Sequence, residues 1–570
     1  MIETLSKTVK YNLGTYQRIV ENALVELKDN KIISRIWAHD HTVWKPETEE
    51  ISNRLGWLHS PELMGESVER ITAFVEEVRE SGYTHTLLLG MGGSSLAPEV
   101  FRKTFGVKEG YLDCAGLDST DPGSVLDYAE GLDPQQTLII VSTKSGTTVE
   151  TLSFFKFFYN WMSDSVGEYH AGEHFIAITD PGTSLVELAQ HYGFRNTFLN
   201  DPNIGGRYSA LSYFGLVPAT LIGIDIRTLL DRAMTAVRNC EACNCTFAGN
   251  NIGCQLGVVL GEIVKTGRDK VTLITSSQIE SFGDWVEQLI AESTGKDGKG
   301  ILPVVREPLG LPTNYGEDRF FVYLGLNGDE SQDTALAELE RGGNPVVRLS
   351  LHDLYDLGEQ FFFWEIAIAV ACYRMGINPF DQPNVEVSKV LAREITAEYR
   401  KKGTLPVESP LIEEDGITVY GEVKENSIES ALSNFMKQAE KGSYIALQAY
   451  LQPTVQTDTF LQTLRLKMRD QYRLATTLGY GPRFLHSTGQ LHKGDAGHGL
   501  FIQFTADDQR DALIPDDAGS SASSMAFGVL KTAQAIGDRQ ALLNRGRMII
   551  RFHLGKDAVI GLKQLANLVH

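Results

Sequence analysis

The stretch Thr86-Leu-Leu-Leu-Gly-Met-Gly-Gly-Ser-Ser-Leu-Ala-Pro98 decides the fold class, because an apolar strand runs into a glycine-rich turn that opens a helix. Glycine lets the backbone approach a ligand closely, and a helix N-terminus offers unpaired N–H groups. Ser94 and Ser95 add hydroxyls at the same point. The stretch therefore predicts a strand–helix unit with a cradle for a phosphate dianion, the alternative being a tight turn without a ligand.

Short β-rich runs alternate with helical stretches along most of the chain, which predicts right-handed βαβ units and parallel sheets. The first set predicts strands at 86–90, 137–142 and 175–179 and helices near 97–105, 148–163 and 184–192. The second predicts strands at 270–275, 320–324 and 345–349, followed by an apolar helix at 360–373. The third, after a charged stretch near 400–428, predicts strands at 444–448, 500–504 and 548–552 and helices near 459–475 and 526–543.

The predicted fold class is α/β, with two doubly wound parallel-sheet domains and an additional region. Helical spacing at Val20, Leu24 and Leu27 predicts a helical N-terminal segment. The predicted boundaries are 1–80 for this helical segment, 81–235 for the first domain, 236–400 for the second, and 401–570 for a C-terminal α/β region that packs on the second domain.

Charge and hydropathy exclude several classes of partner. Lys and Arg total 52 against 73 Asp and Glu, a net charge of −21 over 570 residues, so the chain lacks the basic surface that nucleic acid or anionic lipid requires. The apolar stretches at 361–372 and 211–224 are too short or interrupted to span a bilayer. The N-terminus shows no signal-peptide pattern. We therefore expect a cytoplasmic protein.

Six cysteines are too few for a disulfide framework in a chain of this length. Four of them cluster at Cys240, Cys243, Cys245 and Cys254, a spacing that could supply a thiolate metal site. The surrounding apolar sequence is typical of helices in which small buried cysteines pack. We favour packing over a metal site.

A second polar turn, Ser142-Thr-Lys-Ser-Gly-Thr-Thr148, follows the next strand of the first set and opens another helix. In an open parallel sheet, such turns meet at the carboxyl edge of the strands. The two turns are therefore predicted to form one cradle.

These two turns and three later motifs resemble those of the phosphoglucose isomerases, which are built from two sugar isomerase (SIS) domains. The later motifs are Gly205-Gly-Arg207-Tyr-Ser209, Gln288-Leu-Ile-Ala-Glu292-Ser-Thr-Gly-Lys296 and Asn378-Pro-Phe-Asp-Gln382-Pro-Asn-Val-Glu-Val-Ser-Lys389. Together the five motifs cover about residues 85 to 395. The segment 36–44 and the last third are more similar to the isomerase half of proteins in which transaldolase and phosphoglucose isomerase are fused. We expect no transaldolase barrel in this chain.

The resemblance implies a role for each motif. Arg207 would stabilise charge on the enediol oxygens, and Glu292 would be the proton-transfer base. Glu292 lies at an apparent helix end, where a carboxylate is unfavourable beside the helix dipole, and this favours function. Arg207 as an ordinary ion-pair partner and Lys389 as a solvated helix residue are the alternatives. The sugar phosphate would be bound by Gly93, Ser94, Thr143, Lys144, Ser145, Thr148, Gln288 and Gln382, with Lys389 assisting ring opening.

The ring-opening histidine of the family is missing from its usual place between Glu292 and Lys389, where His352 is the only histidine and looks structural. Phe484-Leu-His486-Ser-Thr-Gly-Gln490, in the last third, resembles the histidine segment of bacterial members. We therefore expect His486 to reach the same pocket as Glu292, from the same or a neighbouring subunit.

The resemblance implies an aldose–ketose isomerase that interconverts glucose 6-phosphate and fructose 6-phosphate in glycolysis and gluconeogenesis. It implies no metal, no redox cofactor, a sugar phosphate as the small-molecule partner, and a homodimer. The alternatives are a dual phosphoglucose and phosphomannose isomerase, an amino-sugar phosphate isomerase, and a non-catalytic sugar-phosphate-binding regulatory protein.

Overall fold

A computed structural model describes residues 9–242, 245–247, 249–422 and 425–569. Within these ranges the strands are β1 (Val9–Asn12), β2 (His85–Gly90), β3 (Asp113–Leu117), β4 (Thr137–Ser142), β5 (Phe175–Thr179), β6 (Asn196–Leu199), β7 (Lys270–Thr275), β8 (Leu302–Val304), β9 (Arg319–Leu326), β10 (Val346–Leu351), β11 (Ile412–Glu414), β12 (Ile417–Tyr420), β13 (Tyr444–Tyr450), β14 (Ala475–Tyr480), β15 (Gly499–Thr505), β16 (Leu513–Ile514), β17 (Met525–Ala526) and β18 (Met548–His553).

The α-helices of the same ranges are α1 (Gln17–Asp29), α2 (Ile32–Trp37), α3 (Ser60–Gly65), α4 (Val68–Glu80), α5 (Gly93–Phe105), α6 (Pro122–Gly131), α7 (Val149–Val166), α8 (Glu168–Ala171), α9 (Ser184–His191), α10 (Tyr213–Leu221), α11 (Ile226–Glu241), α12 (Ile252–Val264), α13 (Phe282–Thr294), α14 (Asp333–Arg341), α15 (Leu357–Met375), α16 (Glu386–Lys402), α17 (Ile428–Met436), α18 (Val455–Tyr472), α19 (Gly489–Gly494), α20 (Phe527–Asn544) and α21 (Ala558–Leu568). In the ranges that are described, no helix is long and apolar enough to cross a membrane.

Three large sheets, beside the two-stranded sheet of β16 and β17, organise the described residues, and the predicted α/β class is confirmed. The first sheet has the order β3-β2-β4-β5-β6 and is parallel throughout. Every residue of β4 and β5 is buried, because helices cover both faces of such a sheet. The second sheet has the order β1-β10-β9-β7-β8, and the third has the order β11-β12-β18-β15-β13-β14.

In each sheet the strand order reverses beside the first parallel strand. The chain passes from β2 to β3 on one side and then to β4 on the other. The strands β7 and β13 occupy the same place in the second and third sheets. Ligands of open α/β sheets bind at this switch point, outside the carboxyl ends of the strands.

The C-terminal region packs on both of the other sheets. The Phe154 ring of α7 stacks on Phe527 of α20 with centroids 5.7 Å apart. Val304 of β8 lies in one buried apolar cluster with Ala446 and Phe501 of the third sheet. The C-terminal region thus contacts elements of both other sheets, and the predicted domain division stays a prediction.

Two helices begin four residues earlier than the sequence patterns predict. The helix predicted to begin near 97 begins at Gly93, because Gly92 turns the chain at φ 57° and the next residues form the first helical turn. The helix predicted at 459–475 spans Val455–Tyr472 instead. Thr454 caps its N-terminus, and Arg473, with φ 57°, ends it before β14.

The sequence patterns missed several short strands, among them the parallel strands β3, β6, β8 and β14 and the antiparallel strands β1, β11 and β12. β1, inside the segment predicted to be helical, pairs antiparallel with β10. β12, within the charged stretch near 400–428 for which no strand was predicted, pairs antiparallel with both β11 and β18. β1, β11 and β12 have only three or four residues each, and their periodicity is too brief to indicate a strand.

Candidate active site

The glycine-rich turn lies at the switch point of the first sheet, between β2 and α5. Ser94 is buried in the first turn of α5, and its carbonyl accepts a hydrogen bond of 3.3 Å from Ser142 Oγ at the end of β4. A side chain at Gly93 would collide with the carbonyl oxygen of Gly206. A Cβ at Gly92 would lie 2.9 Å from the carbonyl oxygen of His486. Glycine is needed here because three other segments of the chain approach the turn.

The hydroxyl-rich turn forms the second wall of the same edge. Thr143 Oγ1 lies 2.8 Å from Thr148 Oγ1, and Ser145 Oγ lies 3.0 Å from Thr147 Oγ1. Thr143 is buried, whereas Ser145 is exposed. The pairing holds the hydroxyls together at the N-terminus of α7, where the helix dipole favours an anion.

Arg207 and Glu292 form a buried ion pair behind these turns. Arg207 Nη1 lies 3.4 Å from Glu292 Oε1, and both residues are less than one-tenth exposed. Arg207 Nε also donates to Ser293 Oγ at 2.8 Å. Its Nη1 donates to Gln382 Oε1 at 3.0 Å, and its Nη2 to the carbonyl oxygen of Pro379 at 2.6 Å. The guanidinium is therefore fixed before any ligand arrives.

Glu292 lies in the last turn of α13, as predicted. The helix end is unfavourable for its carboxylate, and the Arg207 guanidinium beside it supplies the compensating positive charge. Gln288, one turn earlier, donates from Nε2 to Glu292 Oε2 at 3.1 Å and to the carbonyl oxygen of His486 at 2.8 Å. Gln288 thus links the base candidate to the histidine segment, beside Gly92.

His486 reaches this site within the same chain. It ends a short 3₁₀ helix, Arg483–His486, that follows β14. Its Nε2 lies 3.1 Å from Glu150 Oε1 in the first turn of α7. Gln534 Nε2 of α20 donates to the same carboxylate oxygen at 2.7 Å. Burial acts to raise the pKa of Glu150, but the charge and hydrogen bond of His486 outweigh it and hold the pKa below its ordinary value.

The comparisons with known proteins agree with these motifs. Residues 62–300 match the family model of phosphoglucose isomerase. The predicted resemblance to that family is thus confirmed, whereas the finer resemblance to the fused transaldolase proteins stays a prediction.

Several proteins with similar sequences are named glucose-6-phosphate isomerase. The glucose-6-phosphate isomerase of Staphylococcus saprophyticus is 29% identical over 388 residues, which are 59% of this chain and 86% of that protein. The glucose-6-phosphate isomerase of Carboxydothermus hydrogenoformans is 29% identical over 416 residues, or 61% of this chain and 87% of that protein.

Solved structures share the fold. A hypothetical protein from Thermus thermophilus has a TM-score of 0.58 at 23% identity, covering 68% of this chain and 99% of its own. A glucose-6-phosphate isomerase from Chlamydia trachomatis has a TM-score of 0.57 at 18% identity, covering 68% of this chain and 88% of its own. At these identities the likeness supports the fold alone.

Three other residues predicted from the phosphoglucose isomerase motifs, Lys144, Gln382 and Lys389, lie near the site, and their contacts differ from one another. The Lys144 ammonium pairs with Asp180 and donates to the carbonyl oxygen of Pro202 at 3.0 Å, so it braces the hydroxyl turn from behind. Gln382 is exposed and contacts Arg207. Lys389, in the first turn of α16, has a side chain that is 37% exposed and lies 4.0 Å from Glu386.

Sequence reasoning missed Glu150 and Lys296. Glu150 stands two residues after the hydroxyl turn, and only its contact with a residue 336 positions away reveals its place. Lys296 Nζ lies 2.6 Å from Asp381 Oδ1 and so holds the segment that carries Gln382. Burial, with the nearby charge of Arg207, lowers the pKa of Lys296 to about 8 against the opposing effect of Asp381.

The cysteine cluster lies away from these residues, around the ends of α11 and α12. Cys240, Cys245 and Cys254 are buried, and Cys243 lies outside the described residues. Burial raises the pKa of the Cys240 thiol, which disfavours the thiolate that a metal ion needs.

Proposed function

We propose that this chain is an aldose–ketose isomerase that interconverts glucose 6-phosphate and fructose 6-phosphate. The observation that carries the proposal is the buried Arg207–Glu292 pair, joined through Gln288 to the glycine-rich turn. A binding module would have no use for a carboxylate and a fixed guanidinium side by side behind its phosphate cradle. Similar proteins named glucose-6-phosphate isomerase support the same activity.

Phosphate binding would orient the substrate. Ser94, Thr143, Ser145 and Thr148 stand at the N-termini of two helices, with hydroxyl and backbone donors suited to a dianion. Because the phosphate is remote from C1 and C2, its binding energy can serve to position those carbons against Glu292.

Ring opening would use His486, assisted by Lys389. The imidazole faces Glu150 with Nε2, which leaves Nδ1 as the ring nitrogen for the sugar. A carboxylate that holds one nitrogen fixes the tautomer and the orientation of the ring, and it stabilises the imidazolium after proton uptake. Lys389 is close enough for its charge to act on Glu150.

Isomerisation would follow by proton transfer between C2 and C1 through an enediol. Glu292 would carry the proton, and Arg207 would stabilise the negative oxygen that develops. Since Ser293, Gln382 and Pro379 already hold the guanidinium, little reorganisation is needed at the moment of reaction.

Coupled assays on the 6-phosphates of glucose, mannose and glucosamine test the proposal. We expect turnover of glucose 6-phosphate, loss of about 10²-fold to 10⁴-fold in kcat for Glu292→Gln, and nearly unchanged binding of inorganic phosphate by that variant. The exposed Glu187→Gln is the matched control and should behave as the parent protein. Turnover of mannose 6-phosphate would reveal a dual isomerase, turnover of only glucosamine 6-phosphate an amino-sugar enzyme, and phosphate binding without turnover a regulatory protein.

We also infer a cytoplasmic location and a homodimer, on the strength of the sequence and the family resemblance. Light scattering coupled to gel filtration tests the dimer, and fractionation of the source cells tests the location. A mass near that of one chain at working concentration would contradict the dimer.

A further inference from the structure

A cavity of about 450 Å³ opens at the carboxyl edge of the third sheet, and none of the candidate active-site residues lines it. Tyr450, Thr505 and His553, the last residues of β13, β15 and β18, all line it. It lies where the strand order of the third sheet reverses, between β13 and β15. This is the same topological position as that of the phosphate cradle in the first sheet, and it is where such sheets bind ligands.

The cavity wall contains polar groups that no other described residue satisfies. Tyr450 is 1% exposed, and its hydroxyl has no hydrogen-bond partner among the described residues. The Arg551 Nε–H, in a residue that is 9% exposed, is likewise unpartnered in that part of the chain. Buried groups of this kind cost about 1 to 3 kcal/mol each unless a ligand or water binds them.

Two carboxylates converge on the same cavity. A Cβ at Gly528 would lie 2.7 Å from Asp508 Oδ2 and 2.7 Å from Asp511 Oδ2. The opposite oxygens are already engaged, Asp508 Oδ1 by Lys531 and Asp511 Oδ1 by the backbone N–H of Gly528 at 2.9 Å. Glycine at 528 therefore leaves room for a hydrogen-bond donor between two carboxylate oxygens.

The charges of the lining exclude a phosphate. Carboxylates outnumber cations by four to two, Glu408, Asp507, Asp508 and Asp511 against Lys531 and Arg551. Both cations are paired, Lys531 Nζ with Asp121 at 2.7 Å and Arg551 Nη2 with Glu408 at 2.7 Å. A dianion would meet a net negative field, and an ammonium group has no acceptor to offer the unpartnered Arg551 Nε–H.

A neutral hydroxyl group fits all of these features, because it both donates and accepts hydrogen bonds. One hydroxyl of a ligand that carries several can donate to a carboxylate oxygen, while others accept from Arg551 Nε–H or pair in either sense with the Tyr450 hydroxyl. The volume lies within the range of small-molecule sites. We propose that this cavity is a second ligand site, which binds an uncharged polyhydroxyl molecule, a sugar or polyol without phosphate.

The site shares a helix with the candidate active site. Gly528, Thr532 and Ala535 of α20 line the cavity. Gln534 and Asp538 of the same helix are four residues apart and so share a face of it, and neither lines the cavity. Gln534 donates to Glu150, and Asp538 pairs with Lys493 at 2.6 Å. A ligand in the cavity would therefore contact the helix whose Gln534 holds the carboxylate behind His486.

Calorimetric titration of the whole chain with sorbitol and with maltose tests the proposal, with spermidine and citrate as charged comparators. We expect saturable binding of at least one neutral compound with a Kd below about 10 mM and none of citrate. Thr532→Trp should fill the cavity and abolish binding, whereas Gln540→Trp, on an exposed face of the same helix, should leave it unchanged. Glu292→Gln should also retain binding, which separates this site from the catalytic one.

Tyr450→Phe gives a second, milder test. Removing an unpartnered buried hydroxyl should leave the melting temperature equal or higher, and should weaken binding of the neutral compound several-fold. This variant decides the matter if Thr532→Trp fails to fold. Neutral binding that neither variant affects, binding of spermidine alone, or no saturable binding would overturn the proposal.

Discussion

Replacing Glu150 by Gln tests whether the carboxylate behind His486 serves ring opening. Glu150 Oε1 lies 3.1 Å from His486 Nε2 and 2.7 Å from Gln534 Nε2. The amide keeps the shape and can still accept from Gln534, but it places no negative charge opposite the imidazole. Since a hydrogen bond to a charged group contributes about 1.5 to 3 kcal/mol, ring opening should slow about 10-fold to 10²-fold.

Two substrates separate ring opening from proton transfer. Glucose 6-phosphate is cyclic in solution, whereas erythrose 4-phosphate has no hydroxyl left that can close a stable ring. Glu150→Gln should lower kcat/KM on the cyclic substrate by the factor above and leave isomerisation of the acyclic one within about 2-fold. His486→Ala should show the same split, and the exposed Glu187→Gln should change neither rate.

Equal losses on both substrates would refute the ring-opening role, and unchanged kinetics would remove Glu150 from the mechanism. Stability against pH gives an independent check. The folded pKa of Glu150 is depressed, so the charge stabilises the fold above the ordinary value of 4.5, and this stabilisation is lost as pH falls through the folded pKa. The gap in unfolding free energy between parent and variant should therefore narrow on acidification below 4.5, and a widening gap would contradict the ion pair.

Three further substitutions test other parts of the site. Thr143→Val removes a hydroxyl that lies 2.8 Å from Thr148 Oγ1. It should weaken phosphate binding by about 1 to 3 kcal/mol, seen in steady-state kinetics as a rise in KM, and a fall in kcat alone would argue against a uniform phosphate contact. Gly92→Ala places a Cβ 2.9 Å from the carbonyl oxygen of His486, at a residue with φ 57°. Urea titration should therefore show a free energy of unfolding lower by about 1 to 3 kcal/mol, and kcat should fall. Full activity would mean that the turn tolerates displacement. Lys296 is buried, with a pKa of about 8 against 10.5 in the unfolded chain, so the unfolded chain binds more protons between those two pH values. The free energy of unfolding of the parent, relative to that of Lys296→Met, should therefore rise across this pH range by on the order of 2 to 3 kcal/mol. Urea titrations that give the same difference at pH 7 and at pH 10 would refute the lowered pKa.

Local sequence patterns predicted the α/β rhythm and the two turns of the cradle. The strands β2, β4 and β5 match their predicted ranges within one residue, since short apolar runs between polar turns are local signals. The beginning of α5 was misplaced by four residues, because glycine and serine were read as loop although they form the first helical turn. The strand β1 was missed because its partner β10 lies more than 300 positions away and its own four residues show little pattern.

The sequence by itself determined which chemical groups the site could use. Glycines and hydroxyls at strand ends predict an anion cradle, and the motif around Glu292 and the segment around His486 carry acid–base groups, because such signals depend only on neighbours along the chain.

Only the tertiary structure decided which of these groups meet. Arg207 contacts Glu292 across 85 positions, and Glu150 contacts His486 across 336 and Gln534 across 384. No local pattern encodes such pairings, because they depend on the C-terminal region packing against the other two domains so that its histidine segment reaches the glycine-rich turn of the first sheet. The second cavity likewise exists only once the third sheet has formed, because its polar groups come from the ends of β13, β15 and β18, from α20, and from the loops that carry Glu408, Asp508 and Asp511.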